Sequence, residues 1–418
     1  MSTEWGLLKT GSVHSLGFSG KLGLSTVWGF GISAIWNPNV HNLGFRRNPT
    51  VQCLGTLPFE GCLQNGDVGA ALPKAIPHRK RGSEQAEKWY TEAMKKQITM
   101  SAFSDELASV RTKKIEFLSQ IERIVPWGEW IEEIRPCYYK GERGNKPYDL
   151  ELMLRLYVLQ NLYDLSDMAT VAEVIDSRAF SEFCGVDSSN QVPDGDTLGR
   201  FRHILEDNGI QQKLFAQVVR TLMEKGLILK KGTIVDSTIV SAPSSTKNKK
   251  RKRDPDAHSV KKGNTWYFGY KAHIGVDKDS GLTHTVEVTG ANRHDVTMVP
   301  KLLTGEEEAV YGDSGYLGAE KREDALTRNT AGKRIKYKIN RRPSQSRNRS
   351  NRSKAQIKRR EQEKSSVRAK VEHVFGVVKG QLRYRKTRYR GLRKQTAKLN
   401  MLFALANLIL ADRPCLAA

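Results

Sequence analysis

The chain is poor in the features that mark several protein classes. Its five cysteines, Cys53, Cys62, Cys137, Cys184 and Cys415, form no C-x-x-C pair. An odd, scattered set supports neither a disulfide framework nor a zinc site, and it fits a reducing, cytoplasmic setting. No stretch approaches the ~18 apolar residues of a membrane span. The nearest, "LGLSTVWGFGISAIW" from Leu22, is too short and too polar, and it begins too far along the chain for a signal peptide. Acid is scarce in the C-terminal part. Residues 229–418 hold 43 Lys and Arg against 18 Asp and Glu, a net of +25, while residues 1–228 net −1. A local field of that sign attracts polyanions and displaces counterions from nucleic acid. Few aromatics interleave the basic runs, Tyr384 and Tyr389 apart, so base stacking of the single-stranded RNA kind has little support.

What is present changes texture along the chain. Residues 1–99 are Gly-rich and hold neither the 3.6 nor the 2 period, which predicts an irregular, disordered extension. From 100 to 228 the pattern is helical and predicts a small all-helical domain. "SDELASVRTKKIEFLSQIERIV" predicts a helix capped at Ser104, and "DLELMLRLYVLQNLYDLS" predicts a buried one after Pro147. "DGDTLGRFRHILEDNG" offers Asp196 or Thr197 as a cap and Gly209 as a stop, and the next helix ends at Gly226. With Arg200, Arg202 and His203 on one helix, this domain is either a DNA reader of the helix-turn-helix kind or a plain bundle.

Residues 229–412 alternate strand and helix, which predicts an α/β domain, followed by a tail at 413–418. "GTIVDSTIVSA", "FGYKAHIGVDKDSGLTHTVEVTGAN", "EAVYGDSGYLGA" and "KRIKYKIN" supply the strands, with a turn at Asp279-Ser280-Gly281. Residues 366–382 predict a helix whose valines, Val367, Val371, Val374 and Val378, face a core. Two basic insertions, 244–262 and 331–360, lack apolar periodicity and are expected to be solvated or disordered until they meet a polyanion. Lys249, Arg251, Arg253, Arg341 and Arg342 are their candidate DNA contacts, together with Arg385 and Arg388 in the basic stretch near the C-terminus.

Three acids stand out in this basic half. Asp236 sits among Ile234, Val235, Ile239 and Val240, where a carboxylate is costly unless it is paired or binds metal. Asp313 ends an apolar strand beside glycines, and Glu372 lies on the late helix between Arg368 and Lys379. An ordinary Arg368–Glu372 helix pair is the simplest reading of the last. Two strand acids and one helix acid also suggest an oxygen cage for a hard divalent cation. His273 and the pair His294-Asp295 are expected to be structural, with Asp295 capping the following helix.

The blocks "GTIVDSTIVSAPSSTKNK", "GNTWYFGYKAHIGVDKDSGLTH", "ANRHD", "YGDSGYLGA", "VRAKVEHVFGVVK" and "TRYRGL" occur in an order that closely resembles bacterial insertion-sequence transposases of the DDE type, the insertion-sequence-five family. The resemblance covers roughly residues 100–412. It implies an RNase H-like catalytic domain, with the first acid on the first strand, the second at the end of the fourth and the third on a late helix. Position by position these are Asp236, Asp313 and Glu372, which would act as catalytic residues and ligands for Mg²⁺, with Mn²⁺ as a substitute. Arg368, Glu372 and Lys379 match three members of a Tyr-Arg-Glu-Lys signature. The tyrosine position holds Ser365. Arg368 and Lys379 would contact transposon-end DNA. Implied partners are the terminal inverted repeats, target DNA and at least a second catalytic subunit, with no membrane. Two other readings remain: a catalytically inactive, sequence-specific DNA-binding derivative, and an RNase H-like nuclease without strand transfer.

Overall fold

A computed structural model describes residues 111–138, 146–249, 251–342 and 351–413, with backbone alone at 351 and 352. The 1–99 extension, the Ser104 cap and the tail after Arg413 lie outside the described residues. Within them the first helix, α1, spans Lys113–Ile124. Thr112 is extended (ψ 155°) and its hydroxyl accepts from the Ile115 amide, so the helix starts here and does not run through from Ser104. Five more helices of eight or more residues and one shorter one complete the helical region: α2 Trp127–Ile134, α3 Leu150–Leu162, α4 Asp167–Asp176, α5 Arg178–Cys184, α6 Gly195–Asp207 and α7 Ile210–Glu224. α3 is buried on most faces, as its sequence predicts. α6 is capped by Asp194, whose Oδ1 accepts from the Thr197 amide at 2.6 Å, and not by Asp196 or Thr197. Gly209 and Gly226 both take positive φ, the conformation a chain reversal after a helix needs.

The sheet contains β1 Gly232–Ser241, β2 His258–Lys262, β3 Thr265–Asp277, β4 Thr283–Gly290, β5 Ala309–Gly312 and β6 Lys336–Ile339. Its order is β2-β3-β1-β5-β6, with β4 also pairing β3. β1–β3 and β3–β4 are antiparallel, whereas β1–β5 and β5–β6 are parallel. A short helix, α8 Val299–Leu302, lies between β4 and β5. The Asp279-Ser280-Gly281 turn forms as expected: Asp277 Oδ2 accepts the amides of Asp279 and Ser280, and Gly281 has φ 76°.

Three helices follow β6 in the described residues. α9 is Asn351–Arg368, α10 is Lys370–Gly376, and α11 is Leu392–Ala411. The single helix expected over 366–382 is therefore divided. Ala369 interrupts it, and Val377–Gln381 winds as a π-turn. Val371, Val374 and Val378 are nevertheless buried, as their spacing predicts. α11 packs on α7, on α3 and on β4. Asn407 fixes it there, accepting from the Thr283 amide at 2.9 Å and donating to the Thr283 carbonyl at 2.7 Å. Side chains of the helical region and of one sheet face enter the same core.

The two basic insertions are more ordered than expected. In the first, His258–Lys262 forms β2. Its acids explain the anchoring: Asp254 Oδ2 accepts from the Tyr270 hydroxyl at 2.6 Å and the Gly391 amide at 3.0 Å, and Asp256 Oδ2 accepts from the Leu392 amide at 2.8 Å. Carboxylates placed at the start of α11 satisfy its free amides and favour its dipole. In the second, β6 and α9 occupy most of the described part, and α9 is a polar, mostly exposed helix.

Candidate active site

Alternation along β1 sends Ile234 and Val240 into the core shared with α10 and α11, and Val235 into a second core with Val310 and Tyr316. Asp236 has the parity of Ile234, so its carboxylate leaves the sheet on the α10 side. Its side chain is 20% exposed. Burial pushes its pKa up to about 6, and Asp313 and Asp295 add to the rise. The Ser237 amide, donating to Oδ1 at 2.8 Å, and the Arg368 guanidinium oppose it.

Asp313 follows β5. The parallel register ends with Ile234 paired to Tyr311; continued two residues, past the end of β5, it brings Asp313 alongside Asp236, and the Asp313 charge acts on Asp236. Adjacent strands lie ~4.8 Å apart, close enough for the Asp313 charge to raise the Asp236 pKa. Asp313 Oδ1 accepts from the Gly315 amide at 2.8 Å. A Cβ at position 315 would lie 2.9 Å from that oxygen, so a side chain there would push the Asp313 carboxylate out of its present place. Asp313 ends the fifth strand, not the fourth, because β2 adds a strand within the first basic insertion.

Glu372 projects from α10, and its side chain is 73% exposed. Arg368 joins it to the first acid: Nη1 is 3.8 Å from Asp236 Oδ2 and Nη2 is 4.0 Å from Glu372 Oε1. The simple helix pair is thus part of a longer contact across to β1. Arg368 Nε is buried without a hydrogen bond. Asn340, which continues β6 beside Asp313, donates to Ser365 Oγ at 2.8 Å and leaves its own buried Oδ1 unpaired. Among the described residues, no three His, Cys, Asp or Glu side chains are grouped closely enough to hold a metal ion as placed. The oxygens available are nonetheless hard carboxylate donors. Among the described residues, Asp236 Oδ2 and Asp313 Oδ2 face no hydrogen-bond donor within bonding distance, which fits a hard divalent cation.

Behind Asp236 lies a cluster in which His273 and Asp295 were expected to be structural, while Ser237, Lys271 and Tyr316 were not singled out from sequence. Ser237 donates its hydroxyl to Asp295 Oδ1 at 2.8 Å, and Lys271 Nζ lies 3.0 Å from the same oxygen. Asp295 therefore does not cap the helix that follows it; that turn has no side-chain cap. His273 sits on β3 opposite Ser237, with Nε2 against Thr289 Oγ1 at 2.9 Å. Burial lowers its pKa to about 4, so the ring is neutral near pH 7. The Tyr316 hydroxyl is buried nearby and held protonated, first by burial and then by Asp236, Asp295 and Asp313. The only sequence signal was the polar Ser and His-Asp among apolar strand residues.

The basic candidates divide. Lys249, Arg251, Arg253, Arg341 and Arg342 are exposed. Arg253 stacks over Phe268 with its guanidinium 5.6 Å from the ring centre. Lys379 is half-buried and donates to the Ile239 carbonyl of β1 at 2.7 Å; burial lowers its pKa, and Lys262 and Arg385 lower it further. Arg385 donates from Nε to the Lys379 carbonyl at 3.0 Å. Arg388 is engaged by Asp164 at 3.2 Å. In the helical region Arg200 is exposed, but Arg202 is buried between Asp167 and Glu206 and does not face solvent as a DNA reader must.

The arrangement defines a class: an α/β domain that carries one acid in the middle of a strand, a second just past the end of the adjacent parallel strand and a third on a late helix, in a basic field. Comparison with known families agrees with this. Residues 228–408 match the family model described as Transposase DDE domain, and residues 105–204 match that described as Transposase domain (DUF772). Both matches support a DDE-type transposase, a class that generally uses divalent metals and acts on DNA. No solved structure matches the chain. No helix among the described residues is long and apolar enough to cross a membrane.

Proposed function

We propose that this chain is an insertion-sequence transposase of the insertion-sequence-five type. It binds the element's ends through its basic segments and the helical region 100–228, cleaves them, and joins the 3′-OH ends to target DNA. The observation that carries the reading is the placement of Asp236 alongside Asp313, with Arg368 reaching from Asp236 to Glu372. The sheet path β4-β3-β1-β5-β6, antiparallel then parallel, supports an RNase H-like catalytic domain.

Asp236, Asp313 and Glu372 would hold Mg²⁺ or Mn²⁺. When bound, such ions activate water and steady the leaving oxygen in phosphoryl transfer. Glu372, exposed on its helix, is free to change rotamer toward the two strand acids. Arg368 sits where a scissile phosphate would replace its loose carboxylate contacts with shorter, charge-assisted ones. Water attacks phosphorus and the P–O3′ bond breaks, leaving a 5′-phosphate and a free 3′-OH. That 3′-OH then attacks a target phosphodiester, forming a new P–O bond as the target strand's own 3′-oxygen leaves as a 3′-OH. The test is Mg²⁺-dependent cleavage of end DNA, in the presence of a target plasmid, by Asp236→Ala, Asp313→Ala and Glu372→Ala. Each variant should lose cleavage and keep end binding. Retained turnover removes that residue from the site, and nicks without joined products favour a plain nuclease.

A further inference from the structure

The most exposed large apolar side chain among the described residues is Trp266, at 68%. It lies on a two-stranded ribbon, β2 with the first part of β3, closed by a turn at Gly263 (φ 60°). The ribbon's register pairs Lys261 with Trp266 and Ser259 with Phe268, so these four share a face. Continued along β3 to the Asp236–Ile274 pair, that face is the one that carries the candidate acids. Most ribbon residues are exposed and none is fully buried before Gly269. A two-stranded ribbon with little cover is marginal alone, and a bare indole at its end gains nothing from water.

Its chemistry is one-sided. No Asp or Glu occurs between Asp256 and Asp277. Lys261 pairs with Trp266, Lys262 is next to it on β2, and Arg253 stacks over Phe268 on the same ribbon; these three and Lys249, Arg251 and Lys252 in the preceding segment are all exposed. Of the two acids that precede β2 in sequence, Asp254 is buried against Tyr270 and the Gly391 amide, and Asp256 is exposed but accepts from the Leu392 amide at the start of α11. The basic surface is continuous with the candidate site, because Lys262 and Arg385 both act on Lys379, which bonds the β1 backbone.

We infer that the β2–β3 ribbon enters the major groove of duplex DNA held at the candidate active site, with Trp266 packed on base edges and sugars and Lys261 and Lys262 on the flanking phosphates. The inference rests on the DNA reading proposed above. The major groove, about 12 Å wide, admits a two-stranded ribbon in undeformed duplex, whereas the minor groove, about 6 Å wide, takes one only after it is widened or bent. Trp266 precedes Ile274, the partner of Asp236, by eight residues. At ~3.3 Å per residue the ribbon contact lies at most about 26 Å from the acids. Along a duplex that is no more than about eight base-pair steps.

The test uses the full chain in EDTA and a labelled duplex of mixed sequence, followed by fluorescence anisotropy. A second duplex has the same sequence with glucosylated hydroxymethylcytosine, which fills the major groove. Trp266→Ala should weaken binding to the plain duplex about fivefold or more, and Trp266→Phe should restore it to within about twofold. The filled groove should bring the wild type down to the Trp266→Ala level and leave that variant unaffected. Lys261→Gln with Lys262→Gln should reduce the salt slope by about 0.9 for each phosphate no longer neutralised. Equal binding by wild type and Trp266→Ala, or equal binding of the two duplexes by the wild type, overturns the inference and leaves the DNA reading standing. Failure of the wild type to bind plain duplex overturns both. A change in sedimenting mass of Trp266→Ala without DNA, with duplex binding unchanged, would give the ribbon to a second copy of the chain and also overturn it.

Discussion

Ser237 joins two acids: its amide donates to Asp236 and its hydroxyl to Asp295, each at 2.8 Å. Asp236 lies on the sheet face toward α10, and Ser237 points to the other, so one residue transmits the position of Asp295 to the first candidate ligand. Lys271 balances Asp295 from 3.0 Å. Partners behind a ligand commonly tune affinity by about 10–100-fold. Ser237→Ala should therefore raise the half-saturating Mn²⁺ concentration for cleavage by about tenfold, with DNA binding in EDTA unchanged. Ser237→Thr should restore it, since it keeps the hydroxyl. A full rate for Ser237→Ala at limiting metal would show that the link has no influence on the site.

The protonation of Asp236 gives a stability signature. Its folded pKa, about 6, lies above the ordinary 3.8, chiefly because of burial. The folded state thus holds the proton more tightly than the unfolded chain. Its contribution is fully present below pH ~4, is lost as pH rises through ~6, and does not return above. The shift corresponds to about 3 kcal/mol. In EDTA, Asp236→Asn should exceed the wild type in urea stability by about that much at pH 8, and the gap should nearly close at pH 4. Excess Mg²⁺ at pH 8 should raise the wild type and leave the variant where it is. An equal gap at both pH values would assign it to something other than this ionisation.

Among the described residues, every side chain of the candidate site lies C-terminal to Gly232. Translation from Met100 should therefore yield a protein that cleaves end DNA at the full-length rate. A side-by-side time course with both proteins at equal concentration decides it. Loss of cleavage in the shorter chain would give residues 1–99 a part in the reaction.

How much of this was legible depended on how local the cause was. β1, β3 and β4 were visible because β-branched runs alternate, and the valines of α10 because a 3.6 period survives the break at Ala369. Thr112 and Asp194 as caps were missed because several polar residues compete within one turn, and only backbone geometry chooses among them. β2 was hidden by its charges. Its strand character comes from pairing with β3 and from Asp254 and Asp256 reaching α11, contacts more than a hundred residues apart for the latter. The link from Asp295 to Ser237 spans 58 positions and leaves no periodic trace. The acids themselves were suggested by apolar surroundings and by family likeness, but the Arg368 contact between Asp236 and Glu372 needed coordinates.

Arg202 gives the sharpest contrast between a surface and a buried basic residue on one helix. It is 6% exposed, donates from Nη2 to Asp167 at 3.0 Å and from Nη1 to Glu206 at 2.8 Å, and stacks 3.9 Å from the centre of the Tyr389 ring. Burial tends to raise the Asp167 pKa, but hydrogen bonds from Arg202 and Gln160 outweigh it and hold the carboxyl below its ordinary range. Removing the guanidinium would strand Glu206, whose side chain is only 3% exposed. Breaking one partner of such a buried pair typically costs about 3–5 kcal/mol. Arg202→Ala should thus lower the thermal midpoint sharply, while the fraction that remains folded binds duplex DNA with wild-type affinity. Arg200 is exposed on the same helix, and Arg200→Ala should change stability by no more than about 0.5 kcal/mol. If α6 approaches DNA, that second variant is the one that loses affinity. Thermal melts and anisotropy on both variants separate the roles, and a stable Arg202→Ala protein with weakened DNA binding would place Arg202 at the nucleic acid after all.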